Sequence, residues 1–256
     1  MTEQKTILEE EEEEDEFMQN PLIKAMATAL DTQRICVINC LGRQGTGKTN
    51  TLMKLGELAK ENDYKTYYVV APRPEVASRL LKSGIISGKK VYLALDDMSF
   101  IYQTGGSVTQ ELRGFMNCLA RIRHLLGTER IIVAIAYHDV TSIAPFMRLG
   151  DIDILHIPPQ REIEFKRLQQ IFPLSALMNY RAFYLAWLYE REKNEEAKEY
   201  KPLLMRSLFG WDYLIMNKVD GFEWDKVIDV EEICNKKKEN DVEEIENEEE
   251  KKKEKN

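Results

Sequence analysis

The apolar residues of this chain alternate between short continuous runs and repeats at helical spacing. The continuous runs, rich in valine, isoleucine and tyrosine, predict buried strands. Between them apolar residues recur every three or four positions, as in Leu52, Leu55 and Ala59, which predicts amphipathic helices. Strands that alternate with helices form a mostly parallel sheet with helices on both faces. The predicted strands cover 34–41, 66–71, 91–97, 131–136 and 151–157, and further helices are expected at 74–82 and 108–126.

From about residue 160 the pattern becomes richer in aromatic and charged side chains. Apolar spacing predicts helices over 165–172 and 174–188, with Pro173 as the break between them. The Asp-Gly pair at 220–221 lies between two apolar runs, which predicts a hairpin turn at that point. A small helical and hairpin addition is therefore expected after the main α/β region.

Charge is concentrated at the two ends of the sequence. The first 20 residues carry nine acids and one lysine, and the last 22 carry nine acids and seven lysines. These stretches hold little that could pack, so both are expected to be disordered tails. The remainder has 28 basic and 26 acidic residues, which is compatible with a polyanionic partner without requiring one. The expected divisions are a tail over 1–20, an α/β core over 21–159, a C-terminal region over 160–234 and a tail over 235–256.

Cysteine usage and hydropathy indicate a reduced protein of the cytoplasm. Cys36, Cys40, Cys118 and Cys234 form no CxxC pair and join no histidine cluster. No apolar run approaches the roughly 18 residues of a membrane span. The acidic N-terminal stretch lacks the apolar segment of a signal peptide. No membrane contact is expected.

Residues 42–49 read Gly-Arg-Gln-Gly-Thr-Gly-Lys-Thr, which fits G-x-x-x-x-G-K-[ST], the phosphate-binding P-loop. The stretch follows the first predicted strand and precedes a predicted helix, as the motif requires. Glycines let backbone N–H groups approach a triphosphate, and the helix N-terminus adds its positive dipole end. The fold class is therefore expected to be α/β, a RecA-like P-loop NTPase.

The motif implies ATP and Mg²⁺ as cofactors. Lys48 is expected to reach the β- and γ-phosphates and to act in catalysis, and the Thr49 hydroxyl to bind Mg²⁺. The residues expected to contact the nucleotide are Gly42, Arg43, Gln44, Gly45, Thr46, Gly47, Lys48, Thr49 and Asn50.

Asp96 and Asp97 end the third predicted strand, and ligands of parallel sheets bind beyond the carboxyl ends of strands. We expect Asp96 to hold Mg²⁺ and Asp97 to orient the attacking water. His138 ends the fourth strand and is either a γ-phosphate sensor or a structural hydrogen-bonding residue. Arg123 and Arg148 are candidates to complete a neighbouring subunit's site, although a lone arginine is more often a surface group.

Residues 217–220 read Asn-Lys-Val-Asp, the N-K-x-D sequence with which GTPases read guanine. A GTPase also needs D-x-x-G after its second acidic strand, and no glycine follows Asp96 or Asp97 at that spacing. A hairpin explains the short match, so ATP is the expected nucleotide.

With these residues located, the chain resembles the additional-strand P-loop ATPases, which carry a strand between the P-loop strand and the acidic strand. Within them it is most similar to the HerA/FtsK group, especially the genome-packaging ATPases of poxvirus-like and archaeal viruses. The matching stretches are 42–49, 93–98, 120–124 and 131–138, and the resemblance covers about 33–158. Many relatives have Asp-Glu where this chain has Asp96-Asp97, and Gln where it has His138.

The resemblance implies an ATPase that forms a homo-oligomeric ring, expected to be a hexamer, and moves double-stranded DNA together with viral or replication proteins. It would work in the cytoplasm, of the host cell if the protein is viral. Two alternatives stay open. One is an AAA+ initiator or helicase loader that uses ATP as an assembly switch, with 160–192 as its lid. The other is a nucleotide-binding scaffold with low turnover.

Overall fold

The structure, a computed structural model, describes residues 20–70, 74–98, 110–137 and 150–228. In these ranges all strands belong to one sheet. They are β1 (Ile35–Leu41), β2 (Lys65–Val70), β3 (Lys90–Asp96), β4 (Arg130–Tyr137), β5 (Ile152–Leu155), β6 (Tyr200–Ser207), β7 (Gly210–Asn217) and β8 (Lys226–Ile228). Their spatial order is β7-β6-β5-β1-β4-β3-β2-β8.

Helices cover both faces of this sheet. They are α1 (Pro21–Gln33), α2 (Lys48–Glu61), α3 (Pro74–Lys82), α4 (Gln110–Ala120), α5 (Ile122–Leu126), α6 (Glu162–Leu168) and α7 (Leu174–Lys193), followed by a short 3₁₀ turn at Glu196–Lys198. None of the helices in the described ranges is long and apolar enough to cross a membrane.

The central strands β5, β1, β4, β3 and β2 run parallel to one another. The register pairs Ile35 with Ile131 at one end of β1 and Leu41 with Tyr137 at the other. Strand β4 lies between β1 and β3, so the additional strand implied by the resemblance is present. The predicted fold class, a mostly parallel α/β sheet with helices on both faces, is confirmed.

The central strands are buried on both faces, which explains their continuous apolar sequences. Side chains alternate between the two faces of a strand. Along β4, Ile131 and Val133 pack in a cluster with residues of α3, α4 and α7. Ile132 and Ala134 pack on the opposite face with residues of α1 and α2. The core is thus two apolar layers separated by the sheet.

The helix predicted over 108–126 is two helices in its described part, since Arg121 has a non-helical φ of −116° between α4 and α5. Gly127, in the left-handed region at φ 61°, ends α5 as the sequence predicts. Pro173 precedes α7, so the predicted break between α6 and α7 is present.

The predicted hairpin turn at 220–221 is wrong. The hairpin of the C-terminal region is formed by β6 and β7, which pair antiparallel from Tyr200 with Asn217 to Ser207 with Gly210. Strand β6 also pairs antiparallel with β5, so this hairpin extends the main sheet. Its tip exposes Leu208 and Phe209, whose relative accessibilities are 61% and 52%.

The segment after β7 crosses to the far edge of the sheet instead of folding back as a hairpin strand. There Thr66 donates its backbone N–H and its hydroxyl to the Asp225 carboxylate, at 2.6 and 2.9 Å. Strand β8 then pairs parallel with β2. The hydrogen bonds to Asp225 favour this edge over a turn at Gly221, because they satisfy a backbone donor of β2.

Candidate functional site

The P-loop leaves the carboxyl end of β1 and enters α2 at Lys48. Gly45 and Gly47 have φ values of 72° and 84°, in the left-handed region that favours glycine. Gly42 is required for a different reason. A Cβ there would lie 2.6 Å from the Thr46 hydroxyl oxygen and 2.9 Å from the His156 Cβ. The loop therefore has the backbone shape that the motif predicts for wrapping an anion.

The Lys48 side chain lies within the loop. Its ammonium group donates to the Arg43 carbonyl at 2.8 Å, and the residue is only 4% exposed. Burial lowers the pKa of Lys48, and the nearby Asp96 carboxylate opposes that shift. The ammonium is thus a partly desolvated charge at the centre of the loop, where an anion would interact with it strongly.

The Asp96 carboxylate lies beside the first turn of α2. The Thr49 hydroxyl donates to Asp96 Oδ2 at 2.7 Å, and the Tyr68 hydroxyl donates to the same oxygen at 2.6 Å. The Tyr68 ring is held by stacking on Trp224, with 4.7 Å between the ring centroids. Two residues predicted to hold a metal, Thr49 and Asp96, are therefore brought together by β1, β3 and α2.

This pair fits Mg²⁺ better than a metal that needs a full set of protein ligands. Across the described ranges, no group of three or more His, Cys, Asp or Glu side chains could hold a metal ion. Mg²⁺ typically takes one or two protein oxygens and completes its shell with water and substrate phosphates. The Thr49 hydroxyl and the Asp96 carboxylate supply oxygens of that kind.

Asp97 follows the last residue of β3 and has a φ of 53°, in the left-handed region. Its backbone N–H donates to Asp96 Oδ1 at 2.9 Å. The next residue, Met98, donates its N–H to the Ala136 carbonyl of β4 at 2.9 Å. The turn after β3 is thus fixed to β4, and it sets Asp97 next to the Asp96 carboxylate. The water-orienting role of Asp97 remains a prediction.

On the opposite side of the loop, two side chains converge on the Thr46 carbonyl. Lys201 of β6 donates to it at 2.5 Å, and His156 Nδ1 lies 3.3 Å from it. His156 is 1% exposed, and burial, with Lys201 nearby, lowers its pKa to about 3. Burial also lowers the pKa of Lys201, to about 8. The imidazole is therefore neutral at pH 7, and the ammonium retains most of its charge.

Other loop residues tie the P-loop to the C-terminal region. Arg43 donates to Glu164 at 2.5 Å and to Gln160 at 2.9 Å. Asn50 donates to the Asn217 carbonyl at 3.0 Å and accepts from the Val219 N–H at 2.7 Å. Gln44 is exposed. The N-K-x-D stretch thus lies beside the loop, but it contacts Asn50 through its backbone.

Three predicted residues are not placed at this site. His138 and Arg148 lie outside the described residues. Arg123 is in α5, just before the amino end of β4, whereas the loop follows the carboxyl end of the parallel strand β1. A strand of this length separates the two ends by about 20 Å. Arg123 therefore does not belong to the site of its own chain, and its predicted role in a neighbour's site stays a prediction.

Sequence reasoning missed Tyr68, His156 and Lys201. His156 comes directly after β5, so the strand-end rule that selected Asp96 and His138 also applies to it. Tyr68 and Lys201 carry no such signal. They lie within strands, and their contacts span 28 and 155 residues of sequence.

Comparison with known proteins gives only distant similarities. No protein family matches the chain, and no curated protein matches it. The chain is similar to the genome packaging NTPase B204 from Sulfolobus turreted icosahedral virus 2, solved in complex with ATP-gammaS. The identity is 11% and the TM-score is 0.45, and the match covers 73% of this chain and 99% of that chain. The same NTPase in complex with AMP gives 12% identity, the same coverages and a TM-score of 0.44.

A chain of the E. coli MS115-1 HORMA:CdnC:Trip13 complex is also similar, with 16% identity, 66% coverage of both chains and a TM-score of 0.36. The solved structures similar to this chain thus include a viral genome-packaging NTPase.

Proposed function

We propose that this protein is an ATP-hydrolysing P-loop motor that acts on double-stranded DNA. The observation that carries the ATPase part is the 2.7 Å contact between the Thr49 hydroxyl and the Asp96 carboxylate. It joins the end of the phosphate-binding loop to the acidic strand across the intervening β4. If the glycine loop bound no ligand, nothing would require the buried Asp96 carboxylate to lie beside it.

In this proposal the loop binds the triphosphate. The N-terminus of α2, which begins at Lys48, would point backbone N–H donors and a positive dipole end at the phosphate oxygens. Lys48 turns from the Arg43 carbonyl to the β- and γ-phosphates. Because it is already partly desolvated, its charge is effective against the negative charge that develops during phosphoryl transfer.

Thr49 and Asp96 would hold Mg²⁺, which when bound neutralises phosphate charge in the transition state. Asp97 would orient the attacking water, and the hydrogen bonds of its turn hold its backbone just beyond β3. Arg148 or Arg123 of a neighbouring subunit would complete the site. The placement of Arg123 at the opposite end of the sheet supports a role across a subunit interface rather than within the chain.

The DNA part of the proposal is supported by the resemblance of residues 42–49 and 93–98 to the HerA/FtsK group. We infer a homo-oligomeric ring, a hexamer by that resemblance, that packages or translocates viral DNA. Its place of work would be the cytoplasm, of the host cell for a viral protein.

The test is steady-state ATP hydrolysis by the full chain with and without linear double-stranded DNA. We expect DNA-stimulated turnover that Lys48→Ala abolishes and that Lys54→Ala preserves. Lys54 is a matched control, because it lies on the same helix and pairs at the surface with Glu57 at 2.8 Å. Equal turnover in Lys48→Ala and wild type would overturn the ATPase proposal. Turnover that DNA does not change would overturn the motor and leave the loader or the scaffold.

A further inference from the structure

A cavity opens beside the P-loop on the side away from Asp96. We propose that it holds the purine base and ribose of the bound nucleotide, with walls contributed by α7 and the β6–β7 hairpin. This inference rests on the proposed nucleotide function and names the part of the substrate that the loop itself does not contact. The resemblance to known ATPases ends at about residue 158, so it does not cover these walls.

The cavity has a volume of about 390 Å³, within the range of roughly 300–1,000 Å³ that is typical of ligand sites. Its floor is the loop itself, at Gly45, Thr46 and Gly47, and the first turn of α2 at Asn50. A nucleotide whose phosphates lay in the loop would therefore meet this cavity without leaving the protein surface.

The direction of the phosphate chain selects this side. Thr49 and Asp96, which would hold the metal in the proposed function, lie on the flank of the loop that faces β4 and β3, and the γ-phosphate would lie on the same flank. The α-phosphate and the nucleoside must then extend the other way. On that flank the sheet continues as β5, β6 and β7, and residues of all three strands or their ends line the cavity, among them His156, Leu203 and Met216.

The walls have the chemistry of a nucleoside site. Tyr184 and Trp187 lie three positions apart on α7, and their ring centroids are 5.3 Å apart. The Trp187 indole N–H donates to the Ala197 carbonyl at 3.1 Å, which fixes that ring. The Arg191 guanidinium lies over the Trp187 ring at 5.4 Å. Aromatic rings and guanidinium planes are the surfaces on which bases stack.

Charge also favours a nucleotide over a neutral apolar ligand. Four cationic residues and a single acid, Glu199, line the cavity; the cations are Arg191, Lys198, Lys201 and Lys218. Cationic side chains attract the phosphates of a nucleotide, whereas a neutral apolar ligand would gain nothing from them.

The N-K-x-D stretch beside the cavity does not present its side chains as a GTPase does to recognise guanine. Asn217 uses its backbone carbonyl to bind Asn50, and the Asp220 carboxylate lies 3.4 Å from Lys218 with 93% of its side chain exposed. Stacking tolerates any base. We therefore expect ATP and GTP to bind with affinities within about tenfold of each other, because the recognition that stacking provides is largely insensitive to base identity.

The test compares the dissociation constants of ATP, GTP and inorganic tripolyphosphate, each with Mg²⁺, for the full chain. Tyr184→Leu and Arg191→Ala should each weaken ATP binding by about tenfold, as expected for loss of one stacking surface, and leave tripolyphosphate binding unchanged. Tyr189→Leu is the matched control on the same helix, because Tyr189 is 59% exposed and lies outside the cavity lining.

Two results would overturn the inference: ATP binding no more tightly than tripolyphosphate in wild type, or ATP affinity unchanged in both cavity variants. Arg191 is exposed, so Arg191→Ala tests the cavity even if Tyr184→Leu unfolds. Failure of the ATPase proposal itself gives a different result, since tripolyphosphate would then bind equally to wild type and to Lys48→Ala.

Discussion

The two flanks of the P-loop offer a nucleotide opposite chemistry. The flank that faces β4 and β3 offers oxygens, with the Asp96 carboxylate fixed by the hydroxyls of Thr49 and Tyr68. The flank that faces β5 and β6 offers a buried imidazole and an ammonium group, both directed at the Thr46 carbonyl. The first belongs to the parallel core, whereas the second depends on a hairpin added to it. We therefore expect substitutions on the Asp96 flank to change ATP hydrolysis, and substitutions on the flank of His156 and Lys201 to change nucleotide affinity.

The strongest test of the carboxylate flank is Asp96→Asn. The amide keeps the shape of the side chain but removes the charge that would hold Mg²⁺. Loss of a metal ligand should reduce Mg²⁺-dependent turnover by about 10³-fold or more and weaken Mg·ATP binding with it. Hydrolysis rates and nucleotide affinity measured over a Mg²⁺ series would show this. Asp63→Asn, which removes the charge of an aspartate on an exposed turn, is the control.

Asp97→Asn should separate binding from chemistry on the same flank. Asparagine tolerates the left-handed conformation at φ 53°, so the turn is preserved. We expect ATP affinity close to wild type and single-turnover hydrolysis slower by about 10²-fold, for loss of the group that orients water. A wild-type hydrolysis rate would show that another residue has this role, and His138 and Glu111 would be tested next.

The opposite flank should make stability sensitive to acid. The pKa of His156 is lowered to about 3 in the folded protein, against about 6.5 in an unfolded chain. The unfolded state therefore binds a proton between these values that the folded state does not, and stability falls as pH drops below about 6.5. Relative to His156→Gln, wild type should lose about 2 kcal/mol between pH 7 and pH 5. Urea unfolding at both pH values measures this. An equal loss in both proteins would contradict it.

Lys201→Met should affect binding more than turnover. The ammonium donates to the Thr46 carbonyl and so polarises a peptide of the loop that we propose binds phosphate. Hydrogen bonds to charged groups contribute roughly 1.5–3 kcal/mol. We expect ATP affinity to fall by about tenfold with kcat changed less than twofold. Lys193→Met, exposed on α7, is the control. A lower kcat at unchanged affinity would place Lys201 in the chemical step.

The carboxylate flank could be predicted because each of its parts is a local signal. Strand β1, the glycine loop and α2 are consecutive in sequence, and Asp96 ends a continuous apolar run. Parallel pairing then brings the strand ends to one edge of the sheet. The order of these elements was sufficient to predict that Thr49 and Asp96 would be neighbours.

The second flank could not be predicted in this way, since its hairpin was assigned to the wrong residues. Strand β6 contains Pro202, which argues against an interior strand. In the structure Pro202 pairs only with β7, because β5 reaches only the stretch from Leu204 to Arg206. The true turn carries Leu208 and Phe209 rather than an Asp-Gly pair, and apolar residues are not a turn signal.

The exposed tip of the β6–β7 hairpin directly follows β6, the strand that carries Lys201, and Lys201 donates to the Thr46 carbonyl of the P-loop. A single strand therefore connects a surface of apolar side chains to the backbone of the loop. A ligand of the tip that displaced β6 would alter the affinity for nucleotide. Thermodynamic reciprocity then requires nucleotide to alter the affinity of that ligand by the same factor.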